Sequence, residues 1–225
     1  MIEKLRNAFK IKDLRRRLGF TFLMLIIIRI GCQIPAPGIK EGVFDSLFGN
    51  AKDSMNFFSA ITGGSLENMS IFALNITPYI TSSIIIQLLT IAFPSLEEKL
   101  RDGEDGRKLM TKITRYVTVG LSLLQSSAMA IGFGRSGYLT SWGFNFEGVL
   151  TVIALIAVLT AGSTILMWFG EQITDKGVGN GISIVLIINI ISRMPQDLTT
   201  LYNQFVSGKI PAKAVLSGVV IAAII

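Results

Sequence analysis

The chain has no histidine and only one cysteine, Cys32, among its 225 residues. Without histidine the commonest metal ligand and the usual general base are both missing. With one cysteine no internal disulfide can form. Zinc sites, serine triads and histidine proton relays are therefore excluded. Charge is also scarce, at 16% of residues against about 25% in soluble domains. Half of the residues are hydrophobic and the mean hydropathy is +0.58, which is the composition of an integral membrane protein.

The charges that are present divide the chain. Leu18 to Ile34 is apolar apart from Arg29 and Gln33. Uncharged stretches of 29, 19, 23 and 16 residues then lie between Glu67 and Glu97, Arg115 and Arg135, Glu147 and Glu171, and Lys176 and Arg193. A helix needs about 20 residues to cross roughly 30 Å of hydrocarbon, so the second, third and fourth stretches span comfortably. The first and fifth span with help from polar ends or partners. The apolar run Ala214 to Ile225 is too short to span, and the chain reads as part of a longer protein. The basic start followed by an apolar run also fits a secretory leader. However, Arg29 and Pro35-Ala36-Pro37-Gly38 suit cleavage poorly, and an uncleaved first span is expected.

Basic residues orient the bundle. The net charge of +6 is local, with seven of the 21 Lys and Arg in residues 1–17. Residues 95–115 hold six more and residues 170–181 hold Lys176. The alternate loops hold six in all: Lys40, Lys52, Arg135, Arg193, Lys209 and Lys213. By the positive-inside rule, fourteen against six places the N-terminus and the 95–115 and 170–181 loops in the cytoplasm.

Motifs for enzyme chemistry fail on inspection. Gly177-Val-Gly-Asn-Gly181 suggests a phosphate loop, but no Gly-Lys-Ser/Thr follows and position 182 is Ile. A turn before a helix starting near Asn180 is the expected reading. Ser163 after Gly162 has no histidine to act as its base. Small residues there, like Ser126 and Ala130, favour close helix packing. Glu97, Glu98, Asp102, Glu104 and Asp105 sit among six cations in a solvated loop. No catalytic group, cofactor site or metal site survives.

The stretch Phe57 to Phe93 is different. It opens with polar, glycine-rich Phe57-Phe-Ser-Ala-Ile-Thr-Gly63-Gly64-Ser-Leu66, and Asn75 and Pro78 interrupt the apolar run that follows. Pro78 lacks a backbone N–H and disfavours helix at Thr77. The stretch therefore reads as a short half-inserted helix, a break, and a span from about Pro78 to Phe93. Non-helical backbone at membrane depth needs protein or a water-filled cavity around it. The break marks either a pore or substrate site, or a plain proline kink in a packed bundle.

Several motifs together carry a resemblance. They are Arg29-Ile-Gly with Ile34-Pro-Ala-Pro-Gly38, Gly63-Gly64-Ser65 through Ser70-Ile-Phe-Ala-Leu74, and the long Ile76-Thr-Pro-Tyr-Ile-Thr-Ser-Ser-Ile-Ile-Ile-Gln-Leu-Leu-Thr90. Glu104-Asp-Gly-Arg107 and Gly170-Glu-Gln-Ile-Thr-Asp-Lys-Gly-Val-Gly-Asn-Gly-Ile-Ser183 follow in order. The chain resembles the N-terminal half of the SecY family of protein-conducting channels.

The resemblance implies an all-α membrane fold of ten spans in two inverted halves. This chain would supply a basic N-terminus (1–17), a half-channel (18–194) and an external linker with the start of a sixth span (195–225). Residues 57–74, including Gly63, Gly64, Ser65 and Leu66, match the family's plug. Ile80 and Ile84, then Ile182 and Leu186, match its aliphatic pore ring, and i, i+4 spacing puts each pair on one helix face. The second and third spans match one side of the lateral gate. Thr90 and Gln125 on them are either gate residues or ordinary inter-helix hydrogen-bonders. Arg29, near the outer end of its span, must snorkel or pair with a polar group.

The function implied is passage of unfolded secretory proteins through the bacterial plasma membrane and lateral release of hydrophobic segments into lipid. It implies no enzyme activity and no cofactor. The implied partners are SecE, SecG, the SecA ATPase or a ribosome, signal sequences and nascent chains, the bilayer, and the C-terminal half. A secondary transporter half is the competing class, but it would place ionisable groups at mid-membrane, and the spans after the first carry none.

Overall fold

A computed structural model describes residues 11–40, 62–66, 68–101, 103–143 and 145–206. The basic residues before position 11, the first part of the 57–74 stretch and the apolar run 214–225 lie outside the described residues. Six helices are described: α1 (Lys12–Gly31), α2 (Thr77–Ala92), α3 (Pro94–Arg101), α4 (Glu104–Arg135), α5 (Phe146–Lys176) and α6 (Gly181–Val206). Among the described residues the only β-type pairing is two isolated bridges.

Helices α4 and α5 run for 32 and 31 residues and are apolar enough to cross a membrane. Thr77–Ala92 and Gly181–Pro195 are shorter apolar helices. Both long helices overrun the uncharged stretches inside them. Backbone hydrogen bonding continues through polar residues, so a helix need not stop where apolarity stops.

Helix boundaries follow local chemistry. Pro78 sits in the first turn of α2, where a missing N–H costs nothing. It therefore starts the span rather than kinking it. The Asn180 carboxamide oxygen caps α6, accepting from the backbone N–H groups of Ile182 at 3.1 Å and Ser183 at 3.4 Å. The expected turn before that helix is present. The helix itself continues through Pro195 to Val206, although its apolar part is Gly181–Pro195. Proline removes one hydrogen bond from a helix without obliging it to end. The first residues assigned to a 195–225 linker are thus helical.

Helix α5 is the hub, packing against α4, α6 and α1, while α4 also packs against α2. On α4, Gly106, Met110, Thr114, Thr118, Ser122, Ser126 and Ala130 recur every fourth residue and are all buried. Small side chains let neighbouring helices approach, and hydroxyls tie them together. The Ser82 and Thr118 hydroxyls meet at 2.5 Å between α2 and α4. Those of Ser126 and Thr160 meet at 2.9 Å between α4 and α5. Ser163 is buried with no hydrogen-bond partner among the described residues.

Two apolar cores result, and residues 69–76 join them. Met69 and Ala73 enter one core with Ala130, Phe133, Leu155 and Leu159. Phe72 and Ile76 enter the other with Ile28, Leu166, Ile173 and Val185. The joining residues have helix-like spacing, yet the backbone over 71–76 forms turns, not a helix.

Candidate functional site

The site begins with a strap. Pro35 and Pro37 lack N–H groups and favour extended backbone, so residues 34–40 pair through the positions between and beyond them. Ala36 N–H donates to the Met69 carbonyl at 2.8 Å, and Ile71 N–H donates to that of Ile34 at 3.0 Å. Farther along, Lys40 N–H donates to the Tyr138 carbonyl and Thr140 N–H to that of Gly38, both at 3.0 Å. One short strap thus holds the 69–71 turn and the loop that joins α4 to α5.

The turn preceding residue 69 is seated between α1 and α6. Both terminal nitrogens of Arg29 donate to the Gly63 carbonyl, at 3.4 and 3.3 Å. Arg29 Nη1 also donates to Asn189 Oδ1 at 3.4 Å, and Asn189 Nδ2 donates to Asn75 Oδ1 at 3.1 Å. Gly63 has φ +64, and a Cβ there would lie 2.7 Å from Arg29 Nη1 and 2.9 Å from the Asn189 carbonyl. Only glycine fits both the conformation and the space. Ser65, 1% exposed, donates its hydroxyl to the Thr62 carbonyl at 2.8 Å.

Two non-glycine residues of this region have left-handed backbone: Met69 at φ 44 and Asn75 at φ 53. Asparagine tolerates that conformation, whereas methionine is strained in it. The strain at Met69 is held by its core contacts and by the strap.

The ring candidates divide. Ile80 on α2 and Ile182 and Leu186 on α6 pack around the second core. Ile84 does not join them and is 51% exposed. Beyond it, Leu88 and Ile91 on α2 and Ile187, Ile190 and Ile191 on α6 are also exposed. On both helices the stripe that starts against this core, Ile80–Ile84–Leu88 and Ile182–Leu186–Ile190, runs on into exposed positions.

The two gate candidates are not brought together. Ser82 and Thr118 stand at one level of the antiparallel pair α2 and α4. Thr90 is eight residues beyond Ser82 in one direction and Gln125 seven beyond Thr118 in the other. At the usual helical rise they are about 22 Å apart along the axis. The Thr90 hydroxyl donates within its own helix, to Ile86 and Gln87 carbonyls at 2.9 and 2.7 Å. It lines a groove of about 350 Å³ with Ser83, Gln87, Arg107 and Thr111. Gln125 is half-buried.

Where α4 emerges, Arg115 Nε donates to Glu171 Oε1 at 2.8 Å, joining α4 to α5, and the Glu171 side chain is 13% exposed. Arg107, Lys108, Lys112 and Arg115 line a second groove of about 560 Å³ on the same side. Among the described residues no group of His, Cys, Asp or Glu could hold a metal. The Arg29 partners are the part of the site that charge and proline patterns do not reveal. The one signal for Asn189 is an amide inside the apolar stretch before Arg193.

Comparison with known proteins gives a consistent family. Residues 70–225 match the SecY family profile. The chain is 41% identical over 206 residues to protein translocase subunit SecY of Halalkalibacterium halodurans, covering 90% of this chain and 46% of that protein. It is 40% identical over 219 residues to the Pseudomonas aeruginosa subunit of the same name, covering 96% of this chain and 48% of that protein. The chain thus spans about half the length of these relatives. Among solved structures, Sec61 in the canine ribosome-channel complex from the endoplasmic reticulum matches with a TM-score of 0.62 and 18% identity. That match covers 93% of this chain and 46% of the other. A structure described as a protein conducting channel matches equally well. At that identity the likeness shows the fold.

Proposed function

The chain belongs to the SecY family, and on that premise we propose that it forms the N-terminal half of a channel that passes unfolded secretory proteins across a bacterial plasma membrane. Its N-terminus lies in the cytoplasm, and its C-terminal half, SecE and SecG complete the assembly. SecA or a ribosome supplies the drive. Signal sequences and nascent chains enter the pore, and hydrophobic segments leave sideways into lipid past α2 and α4.

One observation carries this reading. Residues 62–66 and 68–76 put turn backbone, a strained Met69 and a glycine carbonyl inside a helical bundle. Backbone of that kind is expensive at membrane depth unless something specific seats it. A displaceable plug supplies the reason for such a segment, with Gly63, Gly64, Ser65 and Leu66 at its described end. Ile80, Ile84, Ile182 and Leu186 then line the constriction beneath it. A narrow aliphatic neck excludes ions by dewetting, since it offers them no replacement for their hydration shell.

Deleting Ala60–Asn68 in a complete channel, joined to its C-terminal half, tests the proposal. The expected result is normal membrane insertion with raised resting ion conductance. Loss of insertion would make the segment a structural part of the bundle and remove the plug.

A further inference from the structure

The polar cluster at Arg29 connects three separate parts of the chain. Arg29 is in the last turn of α1, Gly63 in the seated turn, Asn75 just before α2, and Asn189 in the first half of α6. Asn75 and Asn189 are almost fully buried. Each acceptor in the chain is used by the donor before it: guanidinium to Gly63 carbonyl and Asn189 oxygen, then Asn189 amide to Asn75 oxygen.

Among the described residues no carboxylate forms an ion pair with Arg29. Its charge is met by dipoles, and one of those belongs to the turn itself. Hydrogen bonds to a charged group are stronger than neutral ones, and at 3.3–3.4 Å from a half-buried guanidinium these are loose enough to give way. Moving Gly63 away removes the acceptor shared by both terminal nitrogens of Arg29. The second cation near the turn, Arg193, places Nη1 3.7 Å from where a Gly64 Cβ would stand.

We propose that Arg29, Asn189 and Asn75 form a latch that holds the 62–66 turn in its seat at rest. This rests on the reading of that segment as displaceable. Arg29 is the bolt, the Gly63 carbonyl the catch, and the two asparagines fix the guanidinium in place. The Asn75 side chain reaches the cluster because its backbone is left-handed, so its conformation and its role have one cause.

The test measures release of the turn without any translocating chain. Full-length channel carrying this N-terminal half is placed in proteoliposomes, with Cys32→Ser and a reporter cysteine at Ser65. Labelling by a membrane-impermeant maleimide is then timed. Arg29→Leu is expected to speed labelling about tenfold, the low end of what loss of a hydrogen bond to a charged group represents. Asn75→Gly removes the amide while suiting the φ of that position, so it should also speed labelling although its backbone strain is relieved. Arg29→Leu combined with Asn189→Leu should add little to either alone. Arg115→Gln, which breaks the ion pair between α4 and α5, should leave the rate unchanged.

Unchanged rates in Arg29→Leu and Asn75→Gly would overturn the latch. An equal rise in Arg115→Gln would overturn it too, by showing general loosening. Polypeptide translocation by the unmutated channel is assayed separately. Its failure alongside the expected labelling pattern would remove the proposed function and leave the tie in place. Normal translocation with flat labelling would do the reverse.

Discussion

The hydroxyl oxygens of Ser82 and Thr118 lie 2.5 Å apart, both fully buried, at the crossing of α2 and α4. One of the two donates across the contact, and the other is left to donate to a carbonyl of its own helix, Tyr79 at 2.9 Å from Ser82 or Thr114 at 2.7 Å from Thr118. The pair fixes the relative height of the two helices, which apolar contact alone leaves free to slide.

Thr118→Val keeps the shape and removes the hydroxyl. Inter-helix hydrogen bonds in membrane proteins average about 0.6 kcal/mol, because Ser82 can fall back on its own helix. The expected outcome is a loss of about that size in SDS-titrated unfolding of the full channel. Thr118→Leu should cost more, since the added volume must push α2 away.

Gly162 on α5 faces the backbone of residue 71. A Cβ there would run into the Ile71 carbonyl oxygen and lie 2.9 Å from its carbon. Gly162→Ala is expected to destabilise the bundle and unseat residues 69–76. At Gly120 a Cβ meets nothing within 4 Å, so Gly120→Ala should stabilise by up to about 1 kcal/mol through helix propensity. Thermal melting of the two purified variants compares them directly.

Serine at Ile80, Ile84, Ile182 and Leu186 together should make the resting channel conduct small ions, because hydroxyls let water stay in an aliphatic neck. The matched set places serine at Ile85, Ile187 and Ile191, all exposed in this half. Val185 is 0% exposed and unsuitable as a control, since serine there would bury an unpaired hydroxyl. Planar-bilayer conductance should rise only for the first set. Equal conductance from both would show that the four residues are not a constriction.

Single cysteines at Ser54 and Asp105, in a Cys32→Ser background, should label from opposite faces of the membrane. The basis is the fourteen-to-six bias of Lys and Arg between alternate loops. Labelling of both from one face would reverse the assignment of outside to the 62–66 turn.

Much of the architecture is legible without coordinates, because hydrocarbon imposes one rule on every residue of a span. Uncharged stretches bounded by Glu, Lys and Arg mark α2, α4, α5 and the first part of α6. Pro78 and the Gly177–Gly181 run mark where two of those helices begin. The family motifs are equally a property of order along the chain. Helix ends are less legible: α4 starts eleven residues before Arg115, and α6 passes Pro195, because backbone hydrogen bonding outlasts the apolar pattern.

Composition and the order of motifs suffice for a histidine-free, charge-poor helical membrane chain of this family, with an irregular segment before the second span. What that segment touches follows from the folded arrangement alone. Arg29 and Gly63 are 34 positions apart, and Asn75 and Asn189 are 114 apart. No local periodicity links residues that far apart, and a glycine carbonyl has no side chain to announce its role. The same holds for Thr90 and Gln125, which sit on adjoining helices yet at opposite depths, since only the Ser82–Thr118 register sets their heights. Composition selects the solvent a residue occupies. Partners are chosen by packing, where each buried donor must find an acceptor that the folded chain has brought within reach.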